Sequence, residues 1–233
     1  MKNKYFPLIL SLLLVVSGFS QVTKTIKVNS FNKLVLEGAA YFTLIPSDVN
    51  KIVVVAEDDE IMDFVKIDDK NNALTINTVS KNKNVGITCS SLKFKIYFRK
   101  INKLDFSGAG SVNSKGIIKT DELLVLLGGA GNIKIEVNCK SFTGKMNGAG
   151  SLEVIGITQK SKLLMKGVGS MKASTLVSED TFITLNGVGY ADVFANKKLT
   201  ATLNGIGTIN YAGDPSYKDF NINGIGSVKK LKN

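Results

Sequence analysis

Carboxylates are the side chains best suited to chemistry in this 233-residue chain, and seven of them crowd into one short segment. They are Glu57, Asp58, Asp59, Glu60, Asp63, Asp68 and Asp69. Calcium binds carboxylate oxygens, but the spacing matches no calcium-binding loop. A solvated helix start followed by a turn explains the same residues, because a helix N-terminus favours acids. We therefore predict a helical turn over Asp58–Val65 and no metal site.

A second set of acids could serve an enzyme that cleaves polysaccharides. It comprises Asp121, Glu122, Glu136, Glu153, Glu179, Asp180 and Asp192. A glycosidase needs two carboxylates about 5–9.5 Å apart, and these acids lie at different phases of the repeat described below, or beside lysines. The chain has no histidine and a single arginine, Arg99, so the commonest general base is missing. We predict no catalytic residue, no cofactor and no enzyme.

The remaining chemical candidates are basic and sulfur side chains. The formal net charge is +11 and comes almost entirely from lysine. Bidentate recognition of phosphate favours arginine, so we predict no nucleic-acid partner. Cys89 and Cys139 are the only cysteines, and both a disulfide bond and two separate thiols remain open. Three tyrosines could stack on a glycan, Tyr190, Tyr211 and Tyr217, but we interpret them as ordinary surface residues.

The elements that carry these residues are repeats marked by a Gly-apolar-Gly triplet. Its glycines are Gly108, Gly110, Gly129, Gly131, Gly148, Gly150, Gly167, Gly169, Gly187, Gly189, Gly205, Gly207, Gly224 and Gly226. The first glycines of successive triplets are 21, 19, 19, 20, 18 and 19 residues apart. A period of about 19 predicts a solenoid. A phosphate-binding loop is disfavoured because it occurs once and precedes a helix.

The flanks of the triplet predict two short strands joined at a glycine corner. Apolar residues lie two positions before it, Phe106, Leu127, Met146, Met165, Leu185, Leu203 and Ile222. They also lie two positions after its second glycine, Val112, Ile133, Leu152, Met171, Ala191, Ile209 and Val228. The alternation has the period of a strand with one buried face, and glycine permits the backbone angles of a sharp turn. An asparagine before four triplets predicts an amide ladder, formed by Asn147, Asn186, Asn204 and Asn223.

Outward positions predict that the coils keep their register through side-chain charge. The position directly after the apolar residue that follows each triplet is occupied, in order, by Asn113, Lys134, Glu153, Lys172, Asp192, Asn210 and Lys229. Adjacent coils of a solenoid lie about 4.8 Å apart, so this column alternates in sign over four coils. Such a column is typical of a solvated face rather than of a polyanion-binding tract.

The first half of the chain carries a weaker copy of the same pattern. The segment 31–40, which begins Phe-Asn-Lys-Leu, matches segment 101–110. Strand-like runs follow at Lys51–Ala56, Ala73–Thr78 and Leu92–Phe98. With the signal peptide described next, this start and the seven triplets resemble the head-GIN domain family of autotransporter adhesins, common in Bacteroidetes. The resemblance covers residues 21–233 and implies a right-handed parallel β-helix and a binding role.

Residues 1–20 have the layout of a cleavable signal peptide. Lys2 and Lys4 precede an apolar run, Leu8–Val16, which is too short to span a bilayer. Ser17-Gly18-Phe19-Ser20 then places small residues before a cleavage site at Gln21. We expect an exported chain without a membrane span after cleavage, located in the periplasm, at the cell surface or in the medium.

These observations predict one all-β domain, a single right-handed parallel β-helix of about ten coils. Residues 21–103 are expected to form irregular N-terminal coils and residues 104–233 the regular Gly-x-Gly repeats. The expected role is non-catalytic, that of an adhesin or ligand-binding protein of the cell envelope, with a glycan or a protein as its surface ligand. A carbohydrate-active enzyme and a purely structural envelope protein are the alternatives.

Cleavage is expected between Ser20 and Gln21 because the small-residue site follows a short apolar run. Intact-mass analysis of exported material should show a chain that lacks residues 1–20 and carries a formal net charge of +9, since Lys2 and Lys4 are removed. Recovery of full-length protein embedded in the membrane would contradict this prediction.

Overall fold

The computed structural model describes residues 21–78 and 88–231, and the predicted signal peptide lies outside these residues. The described chain is all-β, with 73% of its residues in strands and almost no helix. A β-solenoid with a period of about 19 residues makes up most of it. None of the described helices is long and apolar enough to cross a membrane.

The N-terminal part contains six strands and one helix. They are β1 Val22–Lys27, β2 Lys33–Pro46, β3 Lys51–Ala56, α1 Asp59–Met62, β4 Lys66–Asp68, β5 Ala73–Asn77 and β6 Leu92–Phe98. The predicted strands at 51–56, 73–78 and 92–98 are thereby confirmed as β3, β5 and β6. The predicted helical turn is also present, and its N-cap Asp58 accepts a hydrogen bond from the Ile61 amide at 2.8 Å.

The solenoid itself is built from ten further strands. They are β7 Lys103–Leu127, β8 Ala130–Met146, β9 Ala149–Met165, β10 Val168–Ala173, β11 Leu176–Leu185, β12 Val188–Phe194, β13 Lys198–Leu203, β14 Ile206–Ala212, β15 Tyr217–Ile222 and β16 Ile225–Lys230. Successive coils pair in parallel, so each column of side chains runs along the solenoid axis. The predicted parallel solenoid is confirmed, and its right-handed winding stays a prediction.

The predicted number of about ten coils is wrong, because the solenoid has about six turns. Of the N-terminal strands, β2 alone runs as a coil, and it pairs in parallel with β7 from Lys33 to Leu44. Strands β5 and β6 each cover one half of β2, and β4, β3 and β1 add to them antiparallel. Residues 39–107 contain one glycine, so this segment lacks the small residue that a repeated corner requires.

Three runs form each regular coil up to the one that starts at Lys162, whereas the later coils have only the first two, and we name the runs by their place relative to the triplet. The leading run ends two residues before the triplet, the trailing run begins at its middle residue, and the third run closes the coil. In the coil that starts at Lys162, these are 162–165, 168–173 and 176–178, and each pairs with its counterpart in the neighbouring coil.

Glycine is required at the corner for two different reasons. A Cβ atom at Gly167 would overlap the carbonyl oxygen of Gly148 in the preceding coil. The second glycine of the same triplet, Gly169, has φ +138°, a conformation that L side chains rarely adopt. Close approach of two backbones therefore explains both glycines, since a Cβ atom at Gly169 would also overlap the carbonyl oxygen of Gly150, and the backbone angles expected from the sequence apply to the second.

Apolar columns fill the interior of the solenoid. Leu36, Phe106, Leu127, Met146, Met165, Leu185 and Leu203 form one of them, and each is fully buried. At the N-terminal end, Phe42 stacks on Phe94 with ring centroids 5.0 Å apart. The column ends at Ile222, which is 46% exposed because it belongs to the last described coil.

The last coil places two lysines where earlier coils place core residues. Lys218 is in register with buried Leu199, and Lys230 with buried Tyr211. Their ammonium nitrogens lie 3.9 and 3.2 Å from Asp214 Oδ1. The Lys230 hydrogen bond and charge, helped by Lys218, lower the pKa of the Asp214 carboxyl. The C-terminal end of the core is thus bordered by a small ion network.

Leu203→Ala should lower the free energy of unfolding by about 2–5 kcal/mol, since it leaves a cavity in the buried column. Ile222→Ala is the matched control in the same column, and its half-exposed side chain should cost about 1 kcal/mol or less. Denaturant unfolding of residues 21–233 measures both values. Equal losses at the two positions would show that the column is not continuous.

Candidate binding groove

A shallow groove of about 440 Å³ runs along the third run of the solenoid and crosses several coils. Its lining residues are Thr120, Asp121, Asn138, Cys139, Lys140, Ile157, Thr158, Gln159, Val177, Ser178, Glu179 and Asn196. They repeat at the solenoid period, because each coil contributes its own third run. The groove therefore consists of columns of side chains rather than of one loop.

The centre of the groove is a column of outward residues. Asn138 pairs with Ile157, and Ile157 with Val177, in successive coils. Ile157 is 58% and Val177 is 40% exposed. An exposed amide and two exposed aliphatic side chains thus follow one another along the axis, so a ligand could find both a hydrogen-bonding group and an apolar surface.

Behind this column lies a polar column that points inward. Thr120, Cys139, Thr158 and Ser178 are in register. The Cys139 thiol donates to Thr158 Oγ1 at 3.6 Å, and that hydroxyl faces the carbonyl oxygens of Lys140 and Lys160 at 3.2 and 3.1 Å. Ser178 Oγ donates to the Phe194 carbonyl at 2.6 Å. These bonds satisfy buried hydroxyls and stabilise the floor.

Neither cysteine is bonded to the other, which settles the alternative that the sequence left open. Both are free thiols, Cys89 half-buried and Cys139 buried. Burial raises the pKa of the Cys139 thiol, and the Thr158 hydrogen bond offsets this only in part. The neutral thiol is therefore a packing group and not a nucleophile.

Ion pairs flank the groove at both ends. Asp121 lies 2.9 Å from Lys140 and 3.6 Å from Lys100. The Lys140 hydrogen bond and charge lower the pKa of the Asp121 carboxyl, and Lys100 adds to the effect. At the other end Glu179 and Lys197 are 3.1 Å apart. Each acid of the groove thus has a lysine partner.

Two of the acids predicted to lie out of phase, Glu153 and Asp192, lie beside lysines or an amide of the neighbouring coils. Glu153 is in register with Lys134 and Lys172, and Asp192 with Lys172 and Asn210. The Lys134–Glu153 pair is 2.8 Å long, and Asn210 donates to Asp192 at 2.7 Å. The predicted column of alternating charge is confirmed.

The acidic cluster near α1 is spread out as well, since Asp69 accepts from the Asn29 amide and Asp68 faces Lys70. Among the described residues, no group of three or more His, Cys, Asp or Glu could hold a metal.

The three candidate tyrosines do not form a row. Tyr190 is 38% exposed and in register with Thr208, whereas Tyr211 is buried against Phe220. Tyr217 lies on the last coil, with the Lys198 ammonium 4.8 Å from its ring centroid. They occupy three different columns, so they offer no aromatic platform.

The amide ladder predicted beside the triplets is present over three coils. Asn204 donates to Asn186 at 2.8 Å, and Asn223 donates to Asn204 at 2.9 Å. Lys166 occupies the same position one coil before Asn186 and separates Asn147 from the ladder.

The groove was not visible in the sequence, although one pattern could have indicated it. Thr120, Cys139, Thr158 and Ser178 recur at intervals of 19, 19 and 20 residues, although they lie 12, 10, 10 and 11 residues after the first glycine of their own triplets. A small polar residue that recurs at the same place in successive coils indicates that this place forms a polar column of the solenoid.

Titration of Asp121 should reveal the ion pair at the groove entrance. Because its pKa is lowered in the folded chain, its stabilising contribution is present above the unfolded pKa and is lost as the pH falls through the folded value. We expect a carboxyl NMR midpoint below 3.8, the ordinary value. Lys140→Met should raise that midpoint, and Lys197→Met, which frees a different acid, should leave it unchanged. An unaltered midpoint in Lys140→Met would contradict the pairing.

Comparisons with known proteins agree with this architecture. A family model described as "putative auto-transporter adhesin, head GIN domain" matches residues 30–215. A crystal structure of a putative adhesin from Bacteroides fragilis NCTC 9343 is 25% identical, with a TM-score of 0.85 over 91% of this chain and 97% of that chain. No curated protein matches the chain.

Two structures from Parabacteroides distasonis ATCC 8503 share the fold. One, a putative adhesin, is 20% identical with a TM-score of 0.67, and the other, a putative lipid binding protein, is 21% identical with a TM-score of 0.70. Each match covers 92% of this chain and 98% of the other. Since the family model spans well over half of the sequence, the chain belongs to the family described as "putative auto-transporter adhesin, head GIN domain".

Proposed function

We propose that the chain is an exported, non-catalytic protein of the cell envelope that binds its ligand in the groove of the third run. The observation that carries this proposal is a groove that crosses successive coils while its acids are paired with lysines. A surface of this kind repeats along the axis and suits an extended ligand, either a glycan or a stretch of protein. The family's adhesin description points in the same direction.

The chemistry of the groove favours binding over catalysis. Asp121 and Glu179 are its two acids and lie three coils apart. At about 4.8 Å per coil their separation is about 14 Å, which exceeds the distance between glycosidase carboxylates. The Lys140 contact keeps Asp121 ionised, so it is a poor general acid. Two of the similar solved structures are described as putative adhesins rather than enzymes.

A purely structural envelope protein remains the alternative to a binding protein, and exposed side chains distinguish the two. A structural solenoid gains nothing from exposed aliphatic groups such as Ile157 and Val177 beside unpaired amides. In a binding site, the same groups supply apolar contact and hydrogen bonds. Export to the periplasm, cell surface or medium is part of the proposal and follows from residues 1–20.

An array of glycans and extracellular-matrix proteins, probed with residues 21–233, tests the proposal. We expect saturable binding to at least one member of the array. Asn138→Ala combined with Gln159→Ala should weaken that binding about tenfold, which is the loss of one or two hydrogen bonds. The matched control combines Asn132→Ala with Asn221→Ala, two exposed amides outside the groove, and should bind as the parent chain does.

The same material decides between binding and catalysis. Polysaccharide turnover that disappears in Asp121→Asn or Glu179→Gln would overturn the non-catalytic proposal. Binding that is equally weak in both amide pairs would place the ligand elsewhere, and an array without any saturable partner would favour the structural alternative.

A further inference from the structure

A row of exposed aliphatic side chains runs along the triplet corner, opposite to the groove. The middle residues of the triplets are in register from coil to coil, and they grow in size toward the C-terminal end, in the order Ala109, Ala130, Ala149, Val168, Val188, Ile206 and Ile225. The last four are 59%, 47%, 52% and 71% exposed. We call Val168, Val188, Ile206 and Ile225 the ridge.

The ridge is unusual because its members are contiguous. Single exposed aliphatic residues are normal on a protein surface, but these four stand on four successive coils about 4.8 Å apart. Continuous apolar exposure marks a surface that contacts something else. Core packing does not explain it, since the interior columns are filled by other residues of the same strands.

The shape of the ridge indicates what it can contact. It lies at a corner, where the chain turns from the leading run into the trailing run, so its side chains project from a convex edge. A protein partner would need a matching slot with the same spacing. A lipid bilayer needs none, because acyl chains and headgroups rearrange around an inserted edge.

Charge beside the ridge points to an anionic lipid surface. The five leading runs that precede the triplets of Gly129 to Gly205, with the residues just before those triplets, contain Lys145, Lys162 and Lys166 but no acid. The leading run before Ile225 contains one exposed acid, Asp219. Lys162 and Lys166 are exposed. The column next to the ridge is otherwise occupied by neutral amides, Asn147, Asn186, Asn204 and Asn223. Basic residues near an anionic bilayer contribute about 1 kcal/mol each.

We propose that the ridge seats the solenoid on a bilayer that carries anionic headgroups. Its aliphatic side chains insert at the level of the headgroups, and the three lysines face lipid phosphates. In the coil that starts at Lys162, which has three runs, the corner between the leading and trailing runs lies across the coil from the third run. The groove therefore remains open to solvent. This inference goes beyond the proposed function and does not rest on it.

Vesicle flotation tests the inference with residues 21–233 and two kinds of vesicle, pure phosphatidylcholine and an equal mixture with phosphatidylglycerol. We expect the chain to float with the mixed vesicles and to dissociate as salt is raised. Ile206→Asp combined with Ile225→Asp should reduce the bound fraction at least tenfold. Lys162→Glu combined with Lys166→Glu should reduce it and weaken its dependence on salt.

The matched control carries the same change on a different surface. Ile157→Asp combined with Val177→Asp alters two exposed aliphatic residues of the groove and should leave flotation unchanged. On the array of glycans and matrix proteins we expect the opposite result. The groove variant should lose ligand binding, and the ridge variant should keep it. Failure of the groove proposal and failure of the lipid proposal are thus separate results.

Three outcomes would overturn the inference. In the first, the parent chain does not float with the mixed vesicles. In the second, the ridge variant (Ile206→Asp with Ile225→Asp) floats as well as the parent chain. In the third, the ridge variant and the groove variant (Ile157→Asp with Val177→Asp) lose flotation to the same extent. Sedimentation that shows a ridge-dependent dimer without vesicle binding would also overturn it, in favour of a second copy as the partner. If the aspartates prevent folding, as judged by circular dichroism, Ile206→Ser with Ile225→Ser replaces them, with the same tenfold expectation.

Discussion

The contact on which the structure depends is the approach of one coil's backbone to the next at the triplet corner. The first glycine of each triplet lies against the carbonyl of the first glycine one coil earlier, and a Cβ atom would overlap it. The second glycine is restricted in the same way, as at Gly169 against the Gly150 carbonyl, so side chains are excluded from the glycine positions at the corner of each coil. Once these positions are fixed, parallel hydrogen bonding fixes the register of all others, so core columns, charge column, groove and ridge follow from one steric condition.

This condition also explains how far the sequence could be interpreted. The period, the inward apolar columns, the charge column and most of the amide ladder were predictable, because each depends on residues at a constant distance from a triplet. The number of coils was not. Segment 31–40 looks like a coil, and β2 does pair as one. Strand β6 continues in parallel with β2, but β3 pairs antiparallel with β6, because long-range pairing in the glycine-poor segment is set by packing rather than by a local pattern. The two phenylalanines that stack at this end, Phe42 and Phe94, are register partners that lie 52 residues apart in the sequence.

The candidate surfaces were harder to foresee for a related reason. Alternation tells inward from outward along a straight strand, but a corner breaks the alternation, so the direction of Val168 or Ile206 could not be inferred. The groove depends on Cys139 and Thr158 sharing a column while Ile157 faces outward, which becomes visible only when the coils are stacked. The ion pairs of Asp121 with Lys140 and Lys100 likewise join residues of different coils.

The ion network at Asp214 bears on assembly. A parallel coil with unpaired backbone groups along its rim is a template for further strands, and identical chains could add to it as they do in amyloid fibrils. Lys218 and Lys230 stand where another coil would need core residues, so any added layer would bury two ammonium groups. Burying charge in this way is costly unless it is fully compensated. The same two lysines that border the core thus oppose the addition of another layer at this end.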